Sequence, residues 1–213
     1  MTLFGIHEPA VTLTDYALAL LCAAVVWLLW RGRGFGKPRF WMVVFFAGAG
    51  LAALFGGTVH GFFDLEGTRE NYALWSATMV SIGVAALGAW GLGARMVLRE
   101  GLGSALIGLA TVEFLAYSAA VLAGYHDFEI AVLQYLPATV FLTLALAVAN
   151  RRKPHRGYRI ALFGMLLTYA GAAVQLFGLA AHPVYFDHDA VYHVVQAAAL
   201  VFVYRGITGA IRR

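Results

Sequence analysis

Seven histidines stand in the 213 residues, and two of them are placed where they could do chemistry together. His60 lies near the close of one apolar run, in GGTVHGFFD, and His193 lies near the start of another, in FDHDAVYHVVQ. If the two runs are helices of opposite direction, both imidazoles come to the same end of the molecule. Two imidazole nitrogens at one depth can bind a divalent metal, and nitrogen ligands suit zinc. The third donor is Asp189 or His188. At about 100° per residue, Asp189 and His193 lie about 40° apart on a helix, whereas His188 and His193 lie about 140° apart. His188 can therefore join only if the helix starts later or its first turn is distorted. Three protein ligands leave a position open for water, which is how zinc makes a nucleophile near neutral pH. The plainer alternatives are that each histidine bonds a carbonyl or water at a membrane edge, and that Asp189 is a helix N-cap.

Other polar residues fall inside apolar runs. Gln196 is one turn beyond His193 and could bond a ligand or another helix. Glu113 stands in the middle of its run with no Lys or Arg at its depth, and Tyr117 at i+4 is its expected hydrogen-bond partner. The single cysteine, Cys22, excludes an intrachain disulfide and a thiolate metal cluster. There is no Walker lysine motif, no dinucleotide-binding glycine fingerprint and no nucleophile elbow. The only lysines, Lys37 and Lys153, lie between apolar runs, so no retinal Schiff base can form within them.

The elements that must position these residues are membrane spans. The chain is 62% hydrophobic and 12% charged, about half the charge of an average soluble domain. A spanning helix needs roughly 20 apolar residues. The hydropathy predicts seven: about 13–30, 40–63, 72–94, 102–123, 129–149, 159–181 and 189–208. Turn residues and charge separate them, as in RGRGFGKPRF and NRRKPHRGYR, and Asp15, Asn71 and Asp187 or Asp189 stand where N-caps are expected. No room remains for a second domain, so residues 1–213 read as one all-α bundle. The 24 glycines suit close helix packing in a membrane.

Charge gives the direction. Fourteen of the 15 Lys and Arg fall in the 1–2, 3–4 and 5–6 loops or the C-terminal end, and only Arg69 falls on the other side. The positive-inside rule then places the C-terminus in the cytoplasm and the N-terminus outside. Six of the seven histidines, all but His155, fall on the outer side. The net charge of +4 sits in short clusters between apolar runs, which argues against a nucleic-acid partner.

Seven spans with a histidine at the end of the second and another early in the seventh resemble the CREST superfamily, which includes alkaline ceramidases, progestin and adiponectin receptors and hemolysin III-like bacterial proteins. Asp189-Ala190-Val191-Tyr192-His193 is similar to the ceramidase signature H-A-[LIV]-[WY]-H, with Asp in place of the first His. The family serine one turn before the second-helix histidine is absent; Gly56 and Gly57 stand there. For the family aspartate near the third helix, Asn71 is the closest counterpart, with Asp64 and Glu70 nearby.

The resemblance implies a zinc-dependent hydrolase of an amide or ester bond in a membrane lipid. His60 and His193 would be ligands, with Asp189 or His188 as the third. Asp64 is the expected general base, one turn beyond His60 if the helix continues, and Asn71 would orient water. The competing expectation is a non-enzymatic sensor or scaffold with structural zinc or none. A transporter with Glu113 on a proton path would need a wet route through the apolar cytoplasmic half.

Overall fold

The structure, a computed structural model, describes residues 6–32, 36–182 and 186–211. Arg33, Arg212 and Arg213, which enter the charge partition, lie outside the described residues. The helices are α1 (Pro9–Arg31), α2 (Lys37–Phe62), α3 (Arg69–Val97), α4 (Glu100–Leu122), α5 (Phe128–Arg152), α6 (Arg156–Leu176) and α7 (His188–Ile211). All seven are long and apolar enough to cross a membrane. The described residues form no sheet; His182 and Phe186 make an isolated bridge.

Most helices begin earlier than hydropathy alone suggests. Pro9 and Pro38 occupy the first turns of α1 and α2, where a missing N–H leaves nothing unsatisfied. Asp15 is therefore no cap but lies well inside α1. Thr68, rather than Asn71, caps α3 and accepts the Asn71 N–H at 3.2 Å. Of Asp187 and Asp189, it is Asp187 that accepts the Ala190 N–H, at 2.9 Å. The sixth helix stops at Leu176, short of residue 181. Gly178 turns the chain at φ +64, and the Gly178 and Leu179 N–H groups return to the carbonyls of Gln175 and Val174.

Six helices form a closed ring in the order α1, α2, α3, α5, α6, α7, and α4 packs outside it against α3. The tightest seams are α2 with α3 and α6 with α7. A Cβ at Gly88 would meet the Phe45 backbone, and one at Gly206 would meet the Ala161 backbone, so these helices touch main chain to main chain. The sparsest neighbours in the ring are α5 and α6.

The two halves of the ring are filled differently. Near the basic loops, Met42, Phe45, Phe46, Leu92, Leu142, Leu146 and Ile207 are all buried in one core. The half nearer the start of α1 and α7 and the end of α2 is hollow.

Candidate functional site

The hollow is a cavity of about 380 Å³. Its lining runs from His60 to Ala49 on α2, from Phe128 to Thr139 on α5 and from Asp189 to Leu200 on α7. Each stretch spans twelve residues, about 16 Å of helix. That is about half the 30 Å hydrocarbon thickness of a bilayer. The deep wall is mostly apolar, with Leu18, Ile82, Ala85 and Leu200 beside Thr139. On α5, Val132 and Leu136 line the cavity and are also 44% and 48% exposed, so it reaches the outer surface of the ring beside α5.

The polar groups gather at one end. His60, Asp189 and His193, three of the residues picked out by type and spacing, all line this cavity. His193 and His60 come together because α2 ends where α7 begins, and α1 lies between them in the ring. Asp189 faces the same way as His193, as the helical phase requires. Its Oδ1 accepts from Gln175 Nε2 on α6 at 2.8 Å. His188 is not in the lining; its Nε2 lies 3.6 Å from Asp189 Oδ2.

Asp15 is the residue that sequence reasoning missed. Its Oδ1 lies 3.3 Å from His193 Nε2, with the two side chains 5% and 12% exposed. Thr14 Oγ1 stands 3.3 Å from the other ring nitrogen of His193. Asp15 fits against α2 because position 57 is glycine; a Cβ there would stand 2.7 Å from the Asp15 Cβ. A signal was present. Asp15 occupies the buried stripe Val11, Thr12, Asp15, Leu18, Cys22, Val25, Leu29, where no other member is charged. A lone acid on such a stripe calls for a partner within the bundle.

His60 is held differently. Its Nδ1 meets Glu8 Oε2 at 2.6 Å in a pair that is one-third to one-half exposed. The histidines are thus divided into two acid–histidine pairs, His60–Glu8 and His193–Asp15. In kind, two imidazoles and two carboxylates around one cavity suit zinc. In position, no three His, Cys, Asp or Glu side chains among the described residues stand together around one point. Gln196 adds a further polar group. It is 5% exposed and lines the cavity, and its Oε1 meets no donor among the described residues. An amide N–H or hydroxyl on a bound molecule would satisfy it.

The two residues expected to handle water lie elsewhere. Helix α2 ends at Phe62, so Asp64 does not continue the face of His60. Asp64 instead pairs with His7 Nδ1 at 3.0 Å, both about half exposed. Asn71 donates from Nδ2 to the Phe63 carbonyl at 2.7 Å and ties the end of α2 to the start of α3. Neither lines the cavity. Glu113 is also outside it, on α4. Its expected partner, Tyr117, donates to the Met79 carbonyl on α3 at 2.9 Å instead.

No curated protein and no solved structure matches the chain. A family model described as a family of unknown function, DUF6962, matches residues 10–212, and the chain belongs to that family.

Proposed function

We propose that this member of the family is a membrane-resident zinc-dependent hydrolase that takes a chain-bearing lipid into the cavity and cleaves an ester or amide bond at its polar end. One observation carries the reading: His60, Asp189 and His193 share the polar end of an apolar cavity whose length matches one leaflet. The seven spans would set α1 with its first residues on the extracytoplasmic side, since 14 of the 15 Lys and Arg fall at the other end.

His60, His193 and Asp189 would hold the zinc. When bound, zinc polarises a carbonyl as a Lewis acid. Asp15 at Nε2 would orient the His193 ring, and Nδ1 would hold the metal in place of the Thr14 hydroxyl. Gln196 receives a donor on the lipid head, and Ile82, Leu136 and Leu200 pack its chain. The similarity of α7 to alkaline ceramidases supplies the choice of an amide or ester as the bond cleaved.

Metal analysis of the purified protein tests this. About one zinc per chain is expected, with most of it lost in His60→Ala and in His193→Ala. Fatty acid released from acyl-amides or lysophospholipids, followed by mass spectrometry, should vanish with the metal. Full zinc in the double variant would overturn the ligand assignment. A second reading has its own observation. The division of the histidines into two acid–histidine pairs closes the polar end without any metal. In that reading the protein binds the lipid as a sensor or scaffold, and lipid binding would persist in a protein free of zinc.

A further inference from the structure

Glu113 stands near the middle of α4, thirteen residues from Glu100 and nine from Leu122. It is exposed, and no described residue holds it by a hydrogen bond or ion pair. The helix that carries it is the one outside the ring, packed mainly against α3. An ionisable side chain at that depth on a lipid-facing surface is costly and rare. Its surroundings are patterned. Leu102, Leu106, Leu109, Glu113, Ala116 and Ala120 recur at alternating spacings of four and three, and each is at least partly exposed. That is the seam of a left-handed helix pair, with one polar residue among apolar ones.

We propose that this face of α4 docks a second copy of the same chain, with the two Glu113 carboxyls meeting across a two-fold axis normal to the membrane. The inference rests on the bilayer-spanning part of the reading above. Two copies inserted the same way place equal residues at equal depth, so in a symmetric pair Glu113 meets itself. A cation from this chain cannot serve. Every described Lys and Arg lies within two turns of a helix end. Two carboxyls can hydrogen-bond to each other when at least one carries its proton. The remaining seam is leucine on one side of Glu113 and alanine on the other, which lets the backbones approach closely near Ala116 and Ala120.

Cysteine cross-linking of the full chain in its native membranes tests the pair. Leu109 lies about 40° from Glu113 around the helix, and Leu115 about 160° away. The two are similarly open in one copy, at 67% and 59%. Under copper–phenanthroline oxidation, Leu109→Cys should yield a dimer band several-fold stronger than Leu115→Cys. The parent chain, whose only cysteine is the buried Cys22, should yield none. Adding Glu113→Leu should weaken association about 3- to 30-fold, the range of one interhelical hydrogen bond in a membrane. Adding Glu113→Gln should preserve it, since two amides also pair. Equal yields at the two positions, no change with Glu113→Leu, or a Leu109→Cys chain that stays monomeric would each overturn the pair. Recovery in carbonate-washed membranes tests the spanning reading by itself. Failure there overturns both, whereas failure to cross-link in those membranes overturns the pair alone.

Discussion

The two halves of the ring are built from the same kinds of helix yet do opposite things with their interior. In the basic half, large side chains fill the axis: Phe45, Phe46, Leu142, Leu146 and Ile207 pack together with no buried acid, histidine or amide among them. Its charges stay at the surface, as in the exposed Lys37–Glu100 pair and the Arg152 contact with the Val97 carbonyl, 2.7 Å. In the other half the wall that α2 supplies is small: Ala49, Ala52, Ala53 and Gly56. Asp15, His193 and Gln196 turn inward there. Side-chain volume along α2 thus separates a sealed half from one that admits a guest.

The sharpest way to break this contrast is to add the same bulk to each half. Gly206→Leu forces a side chain into the Ala161 backbone, where neither helix can yield. Overpacking costs about 1–3 kcal/mol where side chains can shift, and more is expected against main chain. Little monodisperse protein should be recovered by size exclusion, and any that survives should melt well below the parent. Ala52→Leu points the same bulk into the cavity. Its melting temperature should stay within a few degrees of the parent's while binding of a fluorescent single-chain lipid falls. If both variants fold equally well, the two halves do not differ as described.

A smaller effect is expected at Asp15, the buried acid of the hollow half. Asp15→Ala leaves His193 buried without its partner, and an unsatisfied buried polar group costs about 1–3 kcal/mol. Asp15→Asn keeps an oxygen beside His193 Nε2 and should lose less. Thermal melts of both variants in detergent check the order, and an Asp15→Ala protein as stable as the parent would mean that the contact contributes nothing.

Asp15 also marks where the sequence stopped being legible. That His60, Asp189 and His193 line one cavity followed from helix phase and from the opposite directions of the second and seventh spans, both readable in the hydropathy. Asp15 was obscured by its distance from the apolar centre of its run, which made it look like a cap. Pro9 had already started the helix. The ring order left no trace in hydropathy, which reports how apolar each helix is and not which helix it touches. Glu113 was legible as an anomaly, but Tyr117 turned out to serve α3, because the stripe of Gly103, Ala110, Tyr117 and Val121 is the face that packs there. Asn71 read as a cap for α3, yet Thr68 has that role and Asn71 bonds across to Phe63.

The smallest effect is expected at Asp64, and it separates the sequence reading from the structural one. Read as a continuation of α2, Asp64 stands one turn beyond His60 and serves as a base, so Asp64→Asn would keep zinc and abolish turnover. The helix ends at Phe62, however, and the Phe63 N–H returns to the Val59 carbonyl as the chain leaves its axis. Asp64 then faces His7 across a pair whose side chains are 44% and 45% exposed. Exposed pairs of this kind contribute about 0.2–1 kcal/mol, less at high salt. Asp64→Asn should therefore shift the melting temperature by no more than a few degrees, and less in 0.5 M salt than in 0.05 M. Lipid binding and any lipid cleavage should remain at the parent level, whereas His193→Ala at the head of the cavity should reduce both. Loss of cleavage in Asp64→Asn with the melt unchanged would restore Asp64 to the chemistry and would require the loop after α2 to fold in over the cavity when a lipid is bound.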